Sequence, residues 1–461
     1  MKSKAKMIRY ILACCSILFL LACSKDEQLL IKTTPSLDVS NATFYLSQPN
    51  QKSFFQPVEK PGMGISGDVI QLNPDETFQS IDGFGFALTG GSAQVIYRLD
   101  PAKRAALLQE LFANNGISVL RISVGASDLD SAVFSYEDEP GKFSLAKSKA
   151  DLIPLLKEII AVNPGIKIMA SPWSAPAWMK DNLYSKGGSL MEKYYVTYAE
   201  YLANYIQEMA KEGINIWALT PQNEPLNPGN NPSMYMSALM QGNFIKNALG
   251  PVFQAKNIQT KIIVYDHNCD HPEYAIELLN APEVRKYVAG SAFHLYGGDI
   301  SAMSKVKLAH ADKDLYFTEQ WTGAKGDFAS EFKWHMKNVI IGSMNNHAKA
   351  VIEWNLASDP TYGPHTTGGC SECLGALTIG GQDITRNQSY YIVMQAAKFI
   401  SPWSVRIGIN TPFGIQAAAF KRPDGRFVIL ILNEGEKKNV SLDKLNLELA
   451  AESVLAIVLW H

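Results

Sequence analysis

Two glutamates stand where chemistry could be done. Glu224 lies at the end of Ile216-Trp217-Ala218-Leu219-Thr220-Pro221-Gln222-Asn223-Glu224-Pro225, and Glu319 at the end of Leu315-Tyr316-Phe317-Thr318-Glu319. Each follows a short apolar run that reads as a buried parallel strand, and the prolines stop the first one abruptly. A single glutamate at a strand end is usually a salt-bridge partner or a helix cap. Two of them, each flanked by amide or aromatic side chains, are the parts for breaking a glycosidic bond. Like charges held close cannot ionise equally easily, so one carboxyl is pushed toward its protonated form and can serve as an acid. The other must stay ionised to attack.

The neighbouring residue types fit a sugar. Arg121, at the tip of another apolar run, can hold the ionised carboxylate. Asn223 can bind a sugar 2-hydroxyl, a contact that strengthens as the ring becomes oxocarbenium-like. Trp173 and Trp354 close two further runs; indole faces pack on sugar C–H surfaces, although each alone could be core. Tyr296 can hydrogen-bond the nucleophile, and His294 precedes it by two. A metal-dependent hydrolase would want several histidines at strand tips. Only His294 is well placed, with His267 and His271 assigned to one loop.

These groups need elements to position them. Strand patterns fall at Ser80–Thr89, where a Gly-rich strand runs into a turn, and at Ile117–Ile122, Ile166–Ser171, Ile214–Pro221, Lys261–Asp266, Ser291–His294, Leu315–Thr318 and Ala350–Trp354. Helical patterns lie between them: Ala102–Asn114 opened by Asp100-Pro101, then Leu152–Val162, Tyr194–Glu212, Met234–Leu249, Pro272–Leu279, Met303–His310 and Phe328–Asn345. Alternation of this kind means a parallel sheet, and eight units in about three hundred residues fit a (β/α)8 TIM barrel better than an open doubly wound sheet. Active sites of such barrels lie at the C-terminal strand ends, which is where both glutamates fall. The flanks read as β: residues 34–78, and residues 394–461 after a helix-like Tyr391–Ile400. The N-terminal strands would be poorly covered alone, so they are expected to join the C-terminal ones in a β-sandwich beside the barrel, which spans 79–393.

Composition narrows the partners. Hydrophobic residues make up 47% and charged residues 19% of the 461, as in an ordinary globular protein, and the net charge of −2 argues against nucleic acid or an anionic membrane surface. The first 22 residues read as a signal peptide: a basic start, an apolar run from Ile11 to Ala22 too short to span a bilayer, then Leu20-Leu21-Ala22-Cys23. That ending resembles a bacterial lipobox, with Cys23 lipidated and residues 23–33 as a tether; an ordinary secretory signal is the alternative. It implies a lipid-anchored protein of the bacterial cell envelope. Outside the cytoplasm Cys370 and Cys373 can form a disulfide, with free thiols or a metal site as alternatives. Cys269 reads as a buried thiol.

Asp82-Gly83-Phe84-Gly85, Ser171-Pro172-Trp173, Thr220-Pro221-Gln222-Asn223-Glu224-Pro225, His294-Leu295-Tyr296, Phe317-Thr318-Glu319 and Trp354-Asn355-Leu356-Ala357 together resemble glycoside hydrolase family 30, which includes glucosylceramidase. The resemblance runs from about Gln79 to the C-terminus. It implies a retaining β-glycosidase with Glu224 as acid/base and Glu319 as nucleophile. It also implies Trp173, Asn223, Tyr296 and Trp354 as substrate contacts, and no metal or organic cofactor. One departure bears on substrate. Glucosylceramidase-like members carry Thr-Asp after the first strand, where this chain has Leu88-Thr89-Gly90-Gly91. Loss of that carboxylate predicts open space beside the terminal sugar and, by similarity to the β-1,6-glucanase branch, action on β-1,6-glucan, with a monomer expected. The alternatives are a glucosylceramidase-like exo-β-glucosidase, a xylanase or fucosidase, and, outside enzymes, a surface glycan-binding lipoprotein.

Overall fold

The computed structural model describes residues 38–59, 67–443 and 445–460. The signal peptide, Cys23 and the tether lie outside the described residues. Among the described residues no helix is long and apolar enough to cross a membrane.

The described residues begin with β1 (Asp38–Gln48), β2 (Ser53–Val58) and β3 (Asp68–Ser80). The barrel follows as β4 (Gly83–Ala87), β5 (Val119–Ser123), β6 (Lys167–Ser171), β7 (Ile216–Leu219), β8 (Lys261–Cys269), β9 (Val288–Gly298) and β10 (Asp314–Glu319). After a two-residue β11 (Thr322–Gly323), β12 (Ala348–Asn355) pairs in parallel with β4 and closes the eight-stranded ring. Short strands β13 (Ala357–Ser358), β14 (Cys373–Leu374), β15 (Leu377–Gly380) and β16 (Asp383–Arg386) build the loop above β12. The last block is β17 (Val405–Asn410), β18 (Ile415–Lys421), β19 (Phe427–Asn433), β20 (Lys438–Leu442), β21 (Leu445–Leu449) and β22 (Ser453–Trp460). It joins the N-terminal strands in the order β2-β1-β22-β19-β18-β17-β3-β20-β21, so the sandwich is made from both chain ends.

Strand parity explains how the two bodies adhere. In β19 all seven residues are buried. Phe427, Ile429 and Ile431 enter the sandwich core, while Val428, Leu430 and Leu432 join the large core that surrounds the barrel. Side chains alternate faces along a strand, so an unbroken apolar run is what a strand covered on both sides requires.

The same period builds the site. One layer inside the barrel is apolar: Val119, Met169, Ala218, Ala292, Tyr316 and Ile352. Two residues further along those strands come Arg121, Ser171, Thr220, His294, Thr318 and Trp354. An apolar plug therefore gives way to a polar layer at the C-terminal ends of the strands.

Some elements depart from the sequence reading. A helix α1 (Gly90–Tyr97) precedes α2 (Pro101–Leu108), where a turn had been expected. The Thr89 hydroxyl caps it by accepting from Ser92 N at 3.0 Å, and the glycines sit in its first turn rather than in a loop. The helix expected from Met234 starts at Ala238, capped by Ser237, and residues 221–237 form a long loop. Strand β8 runs on to Cys269, which puts His267 in the sheet instead of a loop with His271.

Because Leu430 is buried between sandwich and barrel, Leu430→Ala should cost about 2–5 kcal/mol. Calorimetry should show a single unfolding transition that moves as a whole. Two transitions, with only one displaced, would mean that the bodies are energetically separate.

Candidate active site

Arg121 comes up from β5 into the centre of the ring, fully buried. Its Nη1 donates to Glu319 Oε2 at 2.6 Å, and its Nη2 to Asn223 Oδ1 at 2.6 Å and Asp266 Oδ2 at 2.9 Å. The guanidinium also lies 4.9 Å from the Trp173 ring, within cation–π range.

Asp266 is the hub beneath. Besides Arg121, its carboxylate accepts from Ser171 Oγ at 2.8 Å, Thr220 Oγ1 at 2.6 Å, Thr318 Oγ1 at 2.7 Å and His294 Nε2 at 3.1 Å. Arg121 and His294 hold this buried carboxyl well below the usual range, against the cost of its burial. It is an ion within the barrel, and every donor needed to keep it ionised is present.

Glu224 and Glu319 meet above this layer. One carboxylate oxygen of each and a ring nitrogen of His294 lie within 4.8 Å of one another. A retaining glycosidase needs carboxyl groups about 5–5.5 Å apart, and an inverting one about 6.5–9.5 Å. An approach of one oxygen of each within 4.8 Å fits the shorter, retaining separation. Glu319 Oε1 accepts from Tyr296 Oη at 2.9 Å, so both of its oxygens are held. Glu224 accepts from Asn227 Nδ2 at 2.7 Å and faces His294 Nδ1 at 3.2 Å. Its own backbone is left-handed, φ +44°, a conformation costly for a residue with a Cβ and often found where function demands it.

The charges are uneven. Burial pulls His294 down, but Glu319, Asp266 and Glu224 outweigh it and raise its pKa to about 9. The imidazole is therefore a cation between two carboxylates at neutral pH. Burial would also raise Glu224, yet the His294 contact brings it down to about 2. For Glu319 burial prevails over His294 and Arg121 and leaves it raised. Two cations thus face three carboxyl groups.

Trp173 and Trp354 stack, with ring centroids 5.5 Å apart, and share a cluster with Leu129 and Cys373. Both are nearly covered, so they floor the site rather than project from it. Cys370 and Cys373 are joined by a disulfide in the same wall. Cys269 is a free buried thiol pushed up to about 12 by burial. Glu224, His294 and Glu319 are close enough to surround a cation, but the two carboxylates already accept from Arg121, Tyr296 and Asn227, His294 donates through Nε2 to Asp266, and Arg121 supplies positive charge on the spot.

Several residues at the site were not found from sequence, among them Asp266, His267, Asp128 and Asp130. Asp266 is aimed inward by a bulge: Tyr265 and Asp266 are left-handed, φ +74° and +64°, and the β8–β9 register slips between Tyr265 and His267. Strict alternation would have placed Tyr265 inside. His267 lies beside His294, ring centroids 6.4 Å apart, and burial lowers its pKa to about 4. Asp128 and Asp130 come from the loop after β5. Asp128 is buried, with its pKa raised to about 7 by burial and by Glu319, and one oxygen is 3.4 Å from Cys370 N. Asp130 corrects the reading of Gly90. A Cβ on Gly90 would stand 1.7 Å from Asp130 Oδ1, so the space that glycine leaves is filled by a carboxylate from the next loop.

Comparison with known proteins agrees with this geometry. Residues 81–400 match the glycosyl hydrolase family 30 TIM-barrel domain and residues 404–456 its β-sandwich domain. The endo-1,6-β-D-glucanase of Neurospora crassa is 33% identical, the alignment covering 83% of this chain and 85% of the relative. The endo-1,6-β-D-glucanase neg1 of Aspergillus fumigatus is 31% identical over 83% and 85%, and the lysosomal acid glucosylceramidase of Mus musculus 28% over 81% and 78%. A solved structure described as the endo-β1,6-glucanase BT3312 superposes with a TM-score of 0.86 at 34% identity, covering 91% of this chain and 100% of that one. With its barrel and its sandwich both matched, the chain belongs to glycosyl hydrolase family 30.

Proposed function

We propose that this enzyme is a retaining endo-β-1,6-glucanase in which Glu319 is the nucleophile and Glu224 the acid/base. The observation that carries the roles is the short carboxylate spacing, with Glu319 clamped by Arg121 and Tyr296 while Glu224 faces His294. The choice of β-1,6-glucan is supported by the endo-1,6-glucanase relatives, which are 30–33% identical against 26–28% for the glucosylceramidases. It does not rest on empty space at Gly90.

Glu319 attacks the anomeric carbon as the bond to the leaving oxygen breaks, and Glu224 delivers a proton to that oxygen. A water then attacks the glycosyl ester, with Glu224 taking its proton and Glu319 leaving. In the free enzyme the proton for the first step is stored on His294 Nδ1, 3.2 Å from Glu224 Oε1. Charge on Glu319 is the largest influence holding it there. Ester formation removes that charge, so His294 releases its proton as the leaving oxygen needs one. Asn223, fixed by Arg121, is placed for the 2-hydroxyl. Trp173 and Trp354 form the floor. Asp128, buried and weakly partnered next to Leu129, whose side chain packs on the tryptophans, is placed to accept from sugar hydroxyls remote from the reacting carbon.

The lipobox-like Leu20-Leu21-Ala22-Cys23 supports a lipid-anchored enzyme of a bacterial cell envelope that meets polysaccharide outside the cytoplasm.

Incubated with β-1,6-glucan, the purified enzyme should release oligosaccharides of mixed length first, with little turnover of an aryl β-glucoside. Glucose alone, with fast aryl turnover and the polymer untouched, would favour the glucosylceramidase-like reading. The pH profile tests the proton store. His294 keeps its charge through neutrality and loses it as pH rises through about 9, so kcat/KM should fall there. In His294→Asn that limb should move down by about one unit or more. An alkaline limb indifferent to the substitution would remove His294 from proton delivery.

A further inference from the structure

Gly90 opens α1, and the volume over it belongs to Asp130. A Cβ on Gly90 would lie 1.7 Å from Asp130 Oδ1 and 2.7 Å from its Cγ. That carboxylate cannot simply swing aside. Its Oδ2 accepts from Ser127 N at 2.7 Å and Ser127 Oγ at 2.9 Å, and Ser127 Oγ in turn accepts from Leu129 N at 3.2 Å. The backbone N–H of Gly90 also faces the carboxylate. Next to it, Gly91 N donates to Leu129 O at 2.8 Å, and a Cβ on Gly91 would stand 2.6 Å from that oxygen. The turn 127–130 is thus wound around one carboxylate and pressed onto the first turn of α1. Asp128 lies within it. Its carbonyl is held by Thr366 N at 2.9 Å, and the Leu129 side chain joins the Trp173–Trp354 cluster.

We propose that Asp130 is a positioning residue for substrate recognition: it does not touch the sugar, but it locks the turn that presents Asp128 beside the tryptophan floor, and residue 90 is glycine so that Asp130 can do this. The inference rests on the reading that Asp128 contacts sugar hydroxyls. Its physical basis is that a recognition group misplaced by about 1 Å loses much of its effect, so the residues that hold it carry specificity without contact. The carboxylate need not come from residue 130. A side chain grown from residue 90 would enter the same volume from the other side, provided Asp130 had vacated it.

The test is a variant series in the full-length enzyme, read as kcat, KM and Tm on β-1,6-linked gluco-oligosaccharides and on an aryl β-glucoside. Asp130→Ser should raise KM about tenfold with kcat within about threefold. Gly90→Asp alone should be worse, since two carboxyl groups would compete for one space. Gly90→Asp combined with Asp130→Ser should recover most of the lost KM. In an Asp128→Ala background, Asp130→Ser should add nothing, because both act through one contact. If Asp130→Ser fails to fold, Asp130→Asn, which keeps the shape and weakens the acceptor, takes its place. A fall in Tm with KM unchanged, or a double variant no better than Asp130→Ser, would overturn the positioning role. If Asp128→Ala itself leaves KM unchanged on both substrates, it is the role of Asp128 that fails, and the positioning role falls with it.

Discussion

Arg121 carries a positive charge to the centre of the barrel without access to water, and Asp266 carries the opposite charge beside it. Taking such ions out of water costs several kcal/mol each, and Coulomb attraction repays this only when the remaining hydrogen-bonding capacity is also met. Here most of it is. Asp266 collects donors from β5, β6, β9 and β10 and from Thr220 just past β7, and Arg121 reaches across to Asn223 and Glu319. The pair therefore ties most of the strand ends into one frame. Removing either partner alone would strand a buried charge, at about 3–5 kcal/mol. Such a frame suits a reaction whose two carboxylates must be held at one spacing while one becomes an ester and then a carboxylate again.

Much of this was legible in the chain. The apolar-to-polar step along the strands, Val119 to Arg121, Ala292 to His294, Tyr316 to Thr318, is visible as period-two alternation, and so is the placement of Glu224 and Glu319 just past the apolar runs. The double burial of β19 shows as an unbroken apolar run. Asp266 was not legible, because the bulge that turns it inward breaks the alternation by which inward residues are recognised. A polar run, Asp266-His267-Asn268, directly after an apolar strand was the one available signal. Asp128 and Asp130 lie in a loop, where no period exists to give direction. Helix α1 was missed for a different reason. Paired glycines usually mark a turn, whereas here close approach of the 127–130 loop is what demands them.

The Gly90 position carries a general point about reading departures from a family pattern. A missing carboxylate in sequence need not be a missing carboxylate in space. One loop supplies what another gives up, and a substitution seen singly suggests a hole where the folded chain has an exchange. At this site the loops after β4, β5 and β12 pack on one another, so no single turn defines the space on its own. The disulfide of Cys370 and Cys373 lies in the third of these loops, against the same tryptophan floor.

The central claim is that the frame of Arg121 and Asp266 makes Glu319 the atom donor to a covalent intermediate. It is tested most directly by incubating the enzyme with a 2-deoxy-2-fluoro-β-glucoside bearing a good leaving group, then mapping the adduct by mass spectrometry. The account predicts one glycosyl group per chain, on the peptide that holds Glu319. An adduct on Glu224 or Asp266, or turnover of the natural substrate with inversion at the anomeric carbon, would contradict it.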